Sequence, residues 1–244
     1  MESIRGKQGS VFKKGAKRTA QSLAKGNLTR QAVIAQALQI AARGGLGALS
    51  IGRLAKDLRM SKSGLFLHFG SKEALESAVV EEARSYFFHH VVHPTQEAGL
   101  KGIEGVWVLC DLWLDFVEHG PLPGGYFFTG AFFQSAKQNG PIPRQVRSVV
   151  RQWIDVLEEA LKKARRREEI RSATDTQEAA FELNSILLGA QWSYLMTGRD
   201  YTNARSAILS RLRGLTTEEI PDRAFKSVKT WKAYLRNRTE SADR

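Results

Sequence analysis

One cysteine, Cys110, stands in 244 residues. No internal disulfide can form, so the fold cannot depend on oxidation, and the sequence fits a reducing cytoplasm. No apolar run approaches the roughly 18 residues a membrane helix needs. The basic N-terminus is not followed by the apolar stretch of a secretory signal. No segment alternates as a strand, and no internal repeat is visible. There is no P-loop, no G-x-S-x-G elbow and no dinucleotide fingerprint behind a strand. Gly44, Gly45 and Gly47 read as a turn between helices and need no phosphate. What is present is ordinary for a soluble globular protein, with 42% apolar and 25% charged residues. The length predicts one large domain or two modest ones.

The formal net charge is +12, and its position says more than its size. Residues 1–28 carry a net +6, residues 29–83 +2, residues 84–221 zero and residues 222–244 +4. This asymmetry implies an N-terminal surface for a polyanion and a neutral body with a separate job. Two solvated basic tails are the plainer explanation of the charge alone. Residues 1–28, rich in Gly, Ser, Lys and Gln without apolar periodicity, read as a flexible basic arm, and residues 222–244 as a basic tail.

From Thr29 onward apolar residues recur at helical spacing, which predicts an all-α fold. A first helix carries Val33, Ile34, Ala37, Leu38 and Ala41, with Thr29 as N-cap. A second short helix is capped by Ser50, and a third starts from Ser61 and runs to about His68. A fourth begins after Ser71 and ends near Pro94. Further helices are expected over 100–118, 125–138, 143–167, 175–196 and 203–213, the fourth of these opened by a capping box from Thr174 to Gln177.

Three short helices, the second and third joined by the turn Leu58-Arg59-Met60-Ser61, describe a helix-turn-helix. Ile51, Leu54, Ala55, Leu58, Met60 and Leu65 are spaced to pack the pair together. Ser61, Lys62, Ser63 and Phe66 then face outward. A helix of this size fits the major groove of duplex DNA, and Lys72 is placed to neutralise a phosphate.

The residues from Thr29 to Ala83, above all Leu54-Ala55-Lys56-Asp57-Leu58-Arg59-Met60-Ser61-Lys62-Ser63-Gly64-Leu65-Phe66-x-His68-Phe69-x-Ser71-Lys72-Glu73-Ala74-Leu75, resemble the N-terminal domain of TetR-type transcriptional regulators. The resemblance covers about a quarter of the chain. It implies a homodimeric repressor on a palindromic operator, with no cofactor, no metal and no catalysis. A helix-turn-helix domain over 29–83 (motif 50–69) would be followed by a dimerisation and ligand-binding domain over 84–221. Ser61, Lys62, Ser63 and Gly64 would enter the groove, while Thr29, Ser50, Phe66, His68 and Lys72 would lie along the backbone, with Ile51 also among the DNA-binding residues. The arm 1–28 would reach along the DNA. Two departures matter. Arg59 stands where such regulators usually carry glycine, and a left-handed conformation there would cost it about 1 kcal/mol. Phe66 stands where they usually carry tyrosine, and so lacks a hydroxyl for phosphate.

The neutral body concentrates aromatics, which first means core. The resemblance adds a second meaning, the lining of a cavity for a small apolar or amphipathic effector. Trp107, Cys110, Asp111, Trp113, Phe128, Phe132, Asn184 and Trp192 are the candidates. The helix over 175–196 is apolar nearly all round and must be covered on both sides. Its own subunit accounts for one side and a second copy for the other, through about 175–213. His89, His90 and His93 lack a convincing third ligand for a metal, and Asp111, Asp115 and His119 read as an exposed charged stripe. A non-specific basic nucleic-acid-binding protein and, with less behind it, an all-α enzyme using the aromatic pocket are the competing readings.

Overall fold

The computed structural model describes residues 26, 29–120, 122, 126–135, 138–198 and 200–217, apart from the side chains of Tyr126, Phe132, Phe133 and Ser135. The expected basic arm (Gly26 excepted) and basic tail lie outside these residues. Every regular element among the described residues is helical, with one isolated antiparallel bridge between Ile170 and Thr216. The all-α expectation is met.

The chain divides into two compact units, Met1–Glu82 and Ala83–Arg244. The first holds α1 (29–44), a 3-10 turn (Leu46–Ala48), α2 (Ile51–Asp57), α3 (Lys62–Phe69) and most of α4 (Lys72–Phe87). Its core is Val33, Ala37, Leu38, Ala41, Leu54, Leu65, Leu75 and Val79, all buried. The second unit holds the end of α4, α5 (His93–Glu97), α6 (Gly102–His119), α7 (Tyr126–Ser135), α8 (Pro141–Arg166), α9 (Thr176–Thr197) and α10 (Thr202–Leu215). There α6 packs on α8, α9 and α10, and α8 packs on α7 and α9.

Pro94 does not end the fourth helix. A single π turn (Phe88–Val92) intervenes, with the His93 N–H bonded to the Phe88 carbonyl, and the chain continues helically through α5. Proline has no N–H for the preceding turn, and its ring crowds the carbonyl four residues back. The wider π turn relieves that crowding, and the Thr95 hydroxyl donates to the Val92 carbonyl at 2.9 Å. The expected cap at Thr174 also shifts by one residue. The Asp175 carboxylate accepts from the Gln177 and Glu178 N–H groups at 2.8 and 3.2 Å. Its negative charge suits the positive end of α9 better than a hydroxyl would.

Glu169 shows how the loop after α8 is tied back. Its carboxylate accepts the Ile103 N–H at 2.7 Å and pairs with Arg167 at 2.6 Å. Gly102, at φ +64°, leaves the room this needs, because a Cβ there would collide with the carboxylate. The expected charged stripe on α6 is only partly exposed. Asp111 is 1% exposed and holds Arg205 of α10 at 2.7 Å, while Glu118 takes the same guanidinium at 3.2 Å. A carboxylate cannot be buried unpaired without a cost of several kcal/mol, so Arg205 fixes α10 to α6.

Candidate functional site

In the N-terminal unit the turn between α2 and α3 is closed by two backbone bonds. The Met60 N–H bonds to the Ala55 carbonyl at 2.8 Å and the Arg59 N–H to the Lys56 carbonyl at 3.1 Å. This is a Schellman ending, whose residue after the cap must be left-handed. Arg59 occupies that position at φ 53°. The strain anticipated for a non-glycine residue is therefore present.

Past the turn, Ser61 caps α3. Its hydroxyl oxygen accepts the Gly64 N–H at 3.0 Å and lies 3.2 Å from the Ser63 hydroxyl. Leu65 is the buried residue of α3 and packs it into the unit. The opposite arc carries Lys62, Ser63, Phe66 and Leu67, all exposed. The Lys62 stem runs beside Gly52 at the start of α2, and the ammonium pairs with no carboxylate among the described residues. Other cations lie nearby in sequence but are partly engaged. Arg53 is 3.9 Å from Asp57, Lys72 is 3.4 Å from Glu76, and the Arg30 guanidinium sits over the Phe69 ring at 5.1 Å. Ser50 is exposed and stands at the N-cap position of α2 as expected, though its side chain makes no capping bond, and Ile51, Gly64, Thr29 and His68 are half-buried. Leu67 was not singled out by the sequence. Its neighbours at 65 and 66 are apolar too, so periodicity gave it no outward direction.

In the second unit part of the aromatic set fills the core, with Trp107, Phe127 and Tyr201 buried there. Other aromatic residues line a cavity of about 560 Å³. Phe87 is one wall, with its ring edge-on to Phe116, Phe128 and Trp153 at 5.7, 6.0 and 5.3 Å. Trp113, Val149, Leu188, Trp192 and Leu195 complete the apolar lining. The polar groups are Thr129, Asn184 and Gln191, and no described lining residue carries a charge. Asn184 accepts the Trp153 indole N–H at 3.1 Å through its side-chain carbonyl, which leaves its amide N–H₂ for another acceptor. The Thr129 hydroxyl donates to the Gln191 carbonyl oxygen.

Of the residues the sequence suggested for this cavity, Trp113, Phe128, Asn184 and Trp192 line it. Trp107, Cys110 and Asp111 do not. Trp107 and Cys110 are buried elsewhere on α6, and Asp111 is taken by Arg205. The Phe132 side chain lies outside the described residues. Burial, with the neighbouring Asp111 charge as a second cause, pushes the Cys110 thiol well above the usual thiol range. It is not a nucleophile at neutral pH. Among the described residues no group of three His, Cys, Asp or Glu side chains is arranged to hold a metal ion. No described helix is long and apolar enough to cross a membrane.

Comparison with known proteins bears on both units. Residues 33–79 match the family model for bacterial regulatory proteins of the tetR family. Residues 102–208 match the tetracyclin repressor-like C-terminal domain, and the two together take in more than half the chain. No curated protein matches in sequence. Among solved structures, a TetR-family transcriptional regulator from Cytophaga hutchinsonii superposes with TM-score 0.70 at 16% identity, covering 80% of this chain and 98% of that one. A TetR transcriptional regulator from Chloroflexus aurantiacus gives 0.69 at 23% identity, covering 79% and 98%. AibR, solved with isovaleryl coenzyme A and operator DNA, gives 0.58 at 21% identity, covering 77% and 100%. At these identities the structural likeness establishes the fold, and the two family models establish the lineage. The chain belongs to the tetR family of bacterial transcriptional regulators.

Proposed function

We propose that this regulator is a homodimeric repressor that holds a palindromic operator with α3 of each subunit. A small uncharged molecule entering the cavity of the second unit releases it. The exposed arc of α3, with Lys62 unpaired among the described residues and beside Ser63, carries the DNA reading. Ser61, Lys62, Ser63 and Gly64 face the groove. Thr29, Ser50, Ile51, Phe66, His68 and Lys72 lie against the sugar-phosphate chains. The Ser61 oxygen already accepts the Gly64 N–H of the cap and lies beside the Ser63 hydroxyl, so it offers the groove one remaining lone pair or its O–H.

The cavity lining supports the nature of the effector. A buried charge needs a partner, and the described walls offer none, so the molecule that fits is apolar, with an acceptor facing the Asn184 amide. AibR was solved with a coenzyme A thioester. The phosphates of such a ligand find no cation on the described walls here. Lys72 and Phe87 are the two ends of α4, so displacement of Phe87 by a ligand acts on the helix that starts at a DNA-facing residue. This coupling requires operator affinity to fall when the cavity fills.

The second copy is supported by α9. Ala179, Ala180, Leu183 and Leu187 face inward, while Phe181, Leu188, Trp192, Leu195 and Met196 are exposed. A stripe of that size in solvent marks an interface. We place the dimer contact on α9 within 175–213, and the protein in the cytoplasm, acting without catalysis.

Selection from a random duplex pool at near-physiological salt tests the reading. The expected result is an enriched palindrome with half-sites about one helical turn apart. Salt-sensitive binding without enrichment would instead indicate a non-specific nucleic-acid-binding protein.

A further inference from the structure

Leu67 is 89% exposed, the most exposed large hydrophobic side chain among the described residues. Packing does not explain it, because Leu65 anchors α3 from the opposite face. Helix propensity does not explain it either, since alanine would serve as well without offering hydrocarbon to water. At about 100° per residue, Lys62, Ser63, Phe66 and Leu67 share one arc of about 140°. The first two offer hydrogen-bond donors and the last two offer hydrocarbon. A surface divided in this way is complementary to a surface that is itself divided.

The major groove of duplex DNA has that character. Its edge is made of donors and acceptors, with one apolar group, the C5 methyl of thymine. We infer that Leu67 reads a thymine methyl in the operator and so determines part of the sequence specificity. This rests on the operator reading above, and it adds a residue and a base identity to it. Phe66, one position earlier and also exposed, bounds the contact on the side of Lys62. Leu67 follows Ser63 by one helical turn, about 6 Å, so the thymine lies no more than about two base-pair steps from the base pair that Ser63 meets. The contact is apolar and adds no charge, so it leaves the salt dependence of binding unchanged.

The test uses the full-length protein and the palindrome enriched from the random pool. Each thymine of the half-site is replaced in turn, symmetrically, by deoxyuridine, which removes the methyl and alters nothing else. Burial of one methyl is worth about fourfold in affinity, so loss from both half-sites should weaken binding about fifteenfold at one position. In Leu67→Ala that position should lose its sensitivity to deoxyuridine, with the slope of affinity against salt unchanged. Because Leu67 is exposed, this variant should unfold at the same urea concentration as the parent. An enriched palindrome in which no thymine responds would overturn this inference alone. So would a thymine that responds equally in the parent and in Leu67→Ala. A pool without any enriched sequence would overturn the operator reading, and this inference with it.

Discussion

Two helices leave large hydrophobic side chains in solvent, and they differ in what surrounds them. On α3, Phe66 and Leu67 sit among Lys62, Ser61 and Ser63 in an eight-residue helix. On α9, the exposed apolar residues extend from Phe181 to Met196 in a helix of 22 residues, with Trp192 at 62% exposure. Phe181, Leu188, Trp192 and Leu195 are spaced by seven, four and three residues, the repeat of one helix face. Exposure alone therefore does not identify a partner. The mixed polar and apolar arc of α3 fits the edges of base pairs, whereas the long apolar face of α9 fits another such face.

Charge placed on the α9 stripe is the strongest way to break this comparison. Phe181→Glu with Met196→Glu avoids the cavity, because neither residue lines it. If the stripe pairs with a second copy, two carboxylates lose their water on each side of the contact, and the dimer should dissociate in sedimentation velocity at micromolar concentration. Operator affinity should then fall by about a hundredfold or more, because a single half-site loses the gain of bivalent binding. Leu67→Glu on α3 should leave the dimer intact. A double α9 variant that still sediments as a dimer would remove α9 from the interface. Cys110 supplies the folding control. Burial raises its thiol pKa and shields it, so Ellman's reagent should stay unreactive with the native variant at pH 8 and react on unfolding. Fast labelling of the native parent would contradict that burial.

The next effect is smaller. Lys62→Ala should weaken binding to the selected operator by about tenfold to a hundredfold, the loss of one ordinary polar contact of about 1 kcal/mol in each half-site. The salt slope decides what Lys62 touches. A fall of about two in the slope, one for each half-site, means a phosphate, and an unchanged slope means a base edge. Unaltered affinity would place the reading face of α3 elsewhere.

How far each site was legible in the sequence follows from how local its determinants are. The cap at Ser61, the turn through Arg59 and the packing of Leu65 depend on neighbours within a few residues, and these carried the helix-turn-helix. Membership of the cavity depends on which side of a largely buried helix faces the void. At about 100° per residue, Trp107 and Asp111 turn away from the arc of α6 that Trp113, Phe116 and Val117 share, while Cys110 lies on nearly the same line as Val117 but two turns earlier along the helix. Both sides are buried, so hydrophobicity does not separate them. Asp111 was misplaced for a related reason. Its partner Arg205 lies 94 residues away, and no local rule pairs them. Leu67 escaped notice because an apolar run of three, Leu65 to Leu67, has no readable face.

The smallest expected effect concerns the turn that orients α3. Arg59 is held at φ 53° by the two backbone bonds that close α2. Glycine accepts that conformation without a Cβ clash, so Arg59→Gly should stabilise the protein by about 1 kcal/mol, read as a higher urea midpoint with an unchanged slope. The exposed Arg59 side chain donates no hydrogen bond and makes no ion pair within 4 Å among the described residues, so little folded-state contact is lost. Operator affinity separates strain from function. If Arg59 serves only as a strained turn residue, affinity and salt slope should both hold. If affinity drops about tenfold while stability rises, the guanidinium beside α3 meets a phosphate, and the strain at this position is retained for that contact. A midpoint that falls would mean that the left-handed geometry is not what limits the turn.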